Sequence, residues 1–244
     1  MFKNIIIILA LFMGQCIAAQ PLPLLKVVTE EWTDYTNADG TGTYWDIVRA
    51  VYGEKYQLEL ITTTWSRALN LVENGRADVL VGSVKSVNKK LIFPQHHLDI
   101  EYPVYVIFDK NIHTINTVKD LAGLTVAGRK EYGFAKFLPS SSHFYGVEFI
   151  GDVAKLIEKK RVDVALAYQV NLALADPSNR FTHKSIGPEE RLYLAFTHSD
   201  QGKKLREQYE KALIALIRDD KLKQYFASDQ EYQHAKLDEL LPCP

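Results

Sequence analysis

Short unbroken apolar runs alternate with stretches of helical spacing along most of this chain. Leu25 to Thr29, Gln57 to Ile61 and Val79-Leu80-Val81 read as strands. Thr43 to Tyr52 and the face carrying Ala68, Leu69 and Val72 read as the helices between them, with Trp45 and Tyr52 at core spacing. The same order then recurs. Strands at Leu124 to Gly128, Val147 to Ile150 and Val164-Ala165-Leu166 alternate with a short helix over Glu131 to Leu138 and a helix face of Val153, Leu156 and Ile157. Within this order one segment repeats: Leu71-Val72-Glu73-Asn74-Gly75-Arg76-Ala77-Asp78-Val79-Leu80 aligns at constant offset with Leu156-Ile157-Glu158-Lys159-Lys160-Arg161-Val162-Asp163-Val164-Ala165. Both copies read as a helix end, a tight polar turn and a strand of the kind buried in parallel sheets. Two β-α-β-α-β units imply two α/β lobes, each a helix-covered parallel sheet, with a cleft between them.

Tyr102 to Phe108 reads as a strand leaving lobe 1, and Arg191 to Thr197 as one returning from lobe 2. Two crossing strands form a hinge that permits closure around a ligand. The long amphipathic helix beyond them, with Leu205, Tyr209, Ala212, Leu213, Leu216 and Ile217 on one face, has no sheet of its own and is expected on lobe 1. The divisions this gives are residues 20–107 for the first part of lobe 1, 108–195 for lobe 2 and 196–244 for C-terminal helices returning to lobe 1.

The N-terminus changes the compartment. Lys3, the apolar run Ile5 to Met13 and small residues at Ala18 and Ala19 predict a cleavable signal peptide over residues 1–19, and hence export to the periplasm. The run falls short of the ~20 residues needed to span a bilayer, and Gln15 before Cys16 argues against lipid attachment. Cys243 is the only other cysteine, so no internal disulfide is expected. The chain is 47% apolar, which fits a globular core, and its net charge of −1 offers no footprint for nucleic acid.

Several segments resemble the family 3 solute-binding proteins, whose best-known members bind amino acids for ABC transporters. Trp32-Thr33-Asp34-Tyr35 with Gly42-Thr43-Tyr44-Trp45-Asp46-Ile47 resembles that family's first loop and helix. Thr64-Trp65-Ser66-Arg67-Ala68-Leu69 followed by Gly75-Arg76-Ala77-Asp78 is similar to its second helix and strand entry. Val118-Lys119-Asp120-Leu121-Ala122-Gly123-Leu124-Thr125-Val126 and Arg161-Val162-Asp163-Val164 resemble its second lobe. The resemblance implies a type II periplasmic binding protein-like fold, a venus flytrap that captures a small polar ligand, amino-acid-like or anionic, for ABC-type uptake. It implies no cofactor, a monomer, and an inner-membrane permease or sensor protein as partner. Two family anchors are altered. Ser86-Val87-Asn88-Lys89 stands where a Thr-x-x-Arg segment grips the ligand carboxylate, and Tyr168 stands where an Asp binds the amino group.

Ligands of open α/β sheets bind beyond the carboxyl ends of strands. That rule, with the density of aromatic residues there, selects Trp32, Tyr35, Trp65, Arg67, Ser83 and Lys89 from lobe 1, and Arg129, Tyr132 and Tyr168 from lobe 2. Arg67 stands in the first turn of a helix, where a cation opposes the macrodipole, which hints at an acidic partner. Arg67, Lys89 and Arg129 together predict an anionic preference. Enzyme signatures are sparse. Ser86-Val87-Asn88-Lys89 fits Ser-x-x-Lys, but its companion motifs are absent, as are Gly-x-Ser-x-Gly and His-Glu-x-x-His. Adjacent His96 and His97 point to opposite faces of an extended segment, so no metal site is expected. A periplasmic cyclohexadienyl dehydratase-like enzyme, drawing on Glu30, Glu31 and Lys89, is the enzymatic alternative, and a ligand-sensing subunit of a membrane signalling protein is another.

Overall fold

A computed structural model describes residues 21–241 apart from 86–88, 102, 131 and 188. The predicted signal peptide and Cys243 lie outside the described residues, as do Ser86, Val87 and Asn88. Lobe 1 begins with β1 (Leu24–Thr29), α1 (Thr43–Tyr52), β2 (Gln57–Thr62), α2 (Trp65–Glu73), β3 (Val79–Ser83) and β4 (Asp99–Glu101). Lobe 2 holds β5 (Tyr105–Phe108), β6 (Thr125–Arg129), β7 (His143–Val147), α3 (Val153–Glu158), β8 (Val164–Ala167), α4 (Leu172–Ala175) and β9 (Thr182–Ser185). The chain then returns to lobe 1 through β10 (Glu190–Phe196), α5 (Asp200–Arg218) and α6 (Asp229–His234).

The two sheets share one plan. Lobe 1 is ordered β2-β1-β3-β10-β4 and lobe 2 β7-β6-β8-β5-β9. In each, the three strands of the β-α-β-α-β unit are parallel, and a fourth strand joins antiparallel. The sheets are therefore mixed rather than parallel throughout. The sequence repeat has a shared structural reason. Asp78 Oδ2 accepts from the backbone N–H of Lys26 at 2.9 Å, and Asp163 Oδ2 from that of Thr125 at 2.7 Å. Each aspartate thus ties the start of the third strand to the start of the first, a charge-assisted bond that sets register in both lobes.

Helix α5 packs on lobe 1 as its apolar face requires. Leu205, Tyr209, Leu213 and Ile217 are buried with Trp45, Ile47, Val48 and Tyr52 of α1, and Tyr52 Oη donates to the carbonyl of Leu205 at 2.9 Å. Ser199 caps the helix by accepting from Gly202 N at 3.0 Å.

Three sequence-based boundaries shift. The chain changes sheet between β4 and β5 and again between β9 and β10, so β5 belongs to lobe 2 and β10 to lobe 1, rather than dividing at 107 and 195. Pro103, which lacks a backbone N–H, stands between β4 and β5 where the chain leaves one sheet for the other, which the apolar run alone does not reveal. Strand β7 starts at His143, not Val147, and Ile150–Asp152 is a 3-10 turn entering α3. It is an edge strand with His143, Phe144 and Tyr145 exposed, so its pattern carries little burial signal. The helix expected over Glu131 to Leu138 contracts to a 3-10 turn at Phe134–Phe137.

Candidate functional site

The carboxyl ends of β1 and β3 face those of β6 and β8 across the cleft, and the lobes are closed on one another there. A continuous train of aromatic rings crosses from lobe to lobe. Tyr35 stacks on Tyr44 at 4.9 Å between centroids, Tyr44 meets the edge of Trp32 at 6.4 Å, and Trp32 lies 5.7 Å from Trp65. Trp65 then meets Tyr132 of lobe 2 at 6.2 Å, and Tyr132 packs against Tyr168 at 5.4 Å. Trp32 is seated over Gly82, where an added Cβ would fall 2.3 Å from its ring. Between these rings is a narrow cavity, lined also by Leu69, Ser83, Glu101 and Asn171. Two buried donors on its wall, Trp65 Nε1 from lobe 1 and Asn171 Nδ2 from lobe 2, have no acceptor among the described residues.

Two further cavities flank the central one along the cleft. The first is lined by Glu30, Glu31, Arg129 and Glu148 among others. Here Glu30 accepts from Arg129 and from the hydroxyl of Tyr132, while Arg129 also donates to the carbonyl of Glu148. A carboxylate at the end of β1 thereby latches lobe 1 to lobe 2. Burial, with the Glu30 charge beside it, pushes the Tyr132 hydroxyl well up, so it stays a donor. A second interlobe ion pair, Lys136 to Glu190 at 2.8 Å, lies at the start of β10.

The second flanking cavity has no Lys or Arg among its described lining residues. Asp34, Asp99, Glu101 and Glu231 line it, and it shares Trp32, Glu101, Val170 and Leu192 with the central cavity. Asp99 is 6% exposed and accepts from Tyr44 Oη at 2.8 Å. Burial raises its pKa from 3.8 to about 6, against the lowering effect of that hydrogen bond. Because the folded value exceeds the unfolded one, the proton is held more tightly in the folded state. The associated stability is complete below about pH 4 and is lost as pH rises through 6. Asp99→Asn is therefore expected to exceed the wild type in stability at neutral pH by on the order of 1–3 kcal/mol. The gap should close as pH falls from about 7 to 4, as read by urea denaturation at each pH.

Of the residues selected from sequence, Trp32, Trp65, Ser83, Tyr132 and Tyr168 line the central cavity together, and Tyr35 lines the acidic one. Arg129 reaches the cleft but is bound by Glu30. Arg67 and Lys89 are exposed and stand outside the walls of these cavities. The three cations do not converge, and the anionic preference drawn from them has no structural support. The groups suggested for dehydratase-like chemistry are likewise scattered, with Glu30 held in the latch and Lys89 at the surface. Sequence reasoning missed Gly82, Asp99, Glu101, Asn171 and Glu231. Only Gly82, one residue before Ser83 at the end of a strand, fell within reach of the strand-end rule.

No family model matches the chain. Among curated proteins it is similar to the L-cystine-binding protein TcyJ of Bacillus subtilis, with 24% identity over 197 residues, 72% of this chain and 73% of that protein. That likeness agrees with the resemblance to the family 3 solute-binding proteins drawn from the sequence. Solved structures of binding proteins share the fold of this chain. The amino acid ABC transporter substrate-binding protein AbpA from Streptococcus pneumoniae, bound to L-arginine, is 18% identical with a TM-score of 0.65, covering 88% of this chain and 95% of that one. A putative L-cystine ABC transporter from Listeria monocytogenes is 17% identical with a TM-score of 0.63, covering 88% and 98%. The ancestral amino acid-binding protein AncCDT-1, a precursor of cyclohexadienyl dehydratase, is 18% identical with a TM-score of 0.62, covering 83% and 93%.

Proposed function

We propose that the protein is exported to the periplasm, captures a free amino acid or a close derivative between its lobes, and delivers it to an ABC-type permease. The observation that carries this reading is the pair of buried donors, Trp65 Nε1 and Asn171 Nδ2, one from each lobe, on the wall of a ring-lined cavity. A buried donor without an acceptor costs about 1–3 kcal/mol. A ligand carboxylate spanning the two would remove that cost only with the lobes closed, which couples capture to closure. Flat rings on either side supply the apolar walls that small-ligand sites use. The binding relatives by sequence and by fold support an amino acid as the ligand class.

Isothermal titration of the mature protein with the common amino acids and L-cystine tests this directly. Saturable binding by at least one, with no product formed, is expected. Trp65→Phe keeps a ring and deletes the donor, and should weaken that binding by about tenfold with little change in melting temperature. If none of these compounds binds, the proposed ligand class is wrong.

A further inference from the structure

The edge of lobe 2 carries a groove outside the cleft. Strand β7 ends its sheet, with β6 as its one neighbour among the described residues. His143 N donates to the carbonyl of Leu124 at 2.9 Å, and the carbonyl of Val147 accepts from Lys130 N at 3.0 Å, so alternate residues of β7 face β6. The backbone N–H and C=O groups of Phe144 and Gly146 therefore point to the open edge. Tyr145 lines a groove between β7 and α3 together with Leu156. Lys130, Lys155, Lys159 and Arg161 stand along it, against the carboxylates of Glu148 and Asp152. Glu148 is taken by Lys130 at 2.8 Å, whereas Lys155, Lys159 and Arg161 are exposed and make no ion pair among the described residues. The internal repeat supplies a control. The matching edge of lobe 1, β2, exposes Gln57 and Glu59, and Lys26 holds Glu59 at 3.5 Å, a charged edge of the kind that discourages pairing. β7 instead exposes Phe144 and Tyr145, by 36% and 46%. At the repeat offset, Lys155 and Lys159 correspond to Asn70 and Asn74. The fold thus requires neither the open aromatic edge nor the cations beside it.

We propose that this groove receives an acidic, extended segment of a partner protein. The segment adds to the sheet of lobe 2 as a sixth strand, bonding to the backbone of Phe144 and Gly146. Tyr145 and Leu156 give it an apolar floor, and its carboxylates lie against Lys155, Lys159 and Arg161. A lipid surface would meet the cations but offers no donors and acceptors in strand register. A second copy of this chain would bring like charges together. Apart from Glu148, no lining residue of the groove lines the cleft cavities, so docking here is separable from ligand capture.

The probe is a fluorescein-labelled hexapeptide of alternating glutamate and valine, read by fluorescence anisotropy at low salt on the mature protein. It should bind with a Kd below about 1 mM. A counterpart with lysine for glutamate should bind at least about tenfold more weakly, as should the acidic peptide N-methylated at every residue, which keeps its charge but cannot donate as a strand. The combined variant Lys155→Gln, Lys159→Gln, Arg161→Gln should lose about tenfold for the acidic peptide with its melting temperature unchanged, since all three side chains are exposed. Absence of binding at that concentration overturns the proposal. So does equal binding of the N-methylated peptide, or undiminished binding by the folded triple variant. Tighter association with phosphatidylglycerol vesicles than with the peptide overturns it in favour of a membrane surface. A dimer in sedimentation velocity that Tyr145→Lys dissociates overturns it in favour of a second copy.

Discussion

Gly82→Ala is expected to abolish ligand binding and to cost about 3 kcal/mol or more in stability. The residue has φ +80, in the left-handed region that alanine enters at a cost of about 1–2 kcal/mol. The new methyl carbon would also lie 2.3 Å from Cζ3 and 2.5 Å from Cη2 of Trp32. The indole must then leave its seat on β3, and its contacts with Tyr44 and Trp65 go with it. Gly75→Ala separates the two causes. Gly75 has φ +66 with nothing within 4 Å of an added Cβ, so only the backbone cost of about 1 kcal/mol remains and binding should persist. Urea denaturation and calorimetry on both variants give the comparison. Equal behaviour of the two would show that the seat of Trp32 on Gly82 is unimportant to the site.

Glu30→Gln is expected to open the lobes. The Glu30 and Arg129 side chains are 16% and 6% exposed, so the latch is largely cut off from water. Removing one member of such a pair leaves a buried charge uncompensated, at a cost of about 3–5 kcal/mol, far above that of an exposed pair. A two-lobed protein has a way out, which is to separate its lobes and let water reach Arg129. Small-angle scattering of the ligand-free variant should therefore show a larger radius of gyration than the wild type. Adding Arg129→Met removes the stranded charge and should restore the compact profile. An unchanged profile in the single variant would mean that the latch does not hold the lobes together.

The fold was legible because its signals are local and occur twice. Asp78 and Asp163 stand at matching places in two copies of a helix-turn-strand unit, and each makes the same bond to the first strand of its lobe. The edge strand β7 was not legible, because exposed residues such as Phe144 and Tyr145 break the link between apolar character and burial. At the site, the aromatic wall could be found by a topological rule, since Ser83 ends β3 and Trp32 and Tyr168 follow the ends of β1 and β8. The charges could not. Glu30 and Arg129 are separated by 99 positions in sequence, and nothing near either one announces the other. Glu101 comes from a hinge strand, Asn171 from the turn before α4 and Glu231 from α6, elements outside the repeat that the rule was built on.

Strand β10 lies between β3 and β4 in the sheet of lobe 1, although it follows the whole of lobe 2 in the chain. During synthesis, lobe 2 is thus a contiguous block available in full while the first sheet still lacks an inner strand. The unfinished sheet exposes the edge of β3, with apolar Val79, Leu80 and Val81, until residues 190–196 arrive. Such open edges are sites of mispairing in slow-folding chains. Lobe 2 is then the unit able to fold first, with the sheet of lobe 1 completed only when β10 joins it.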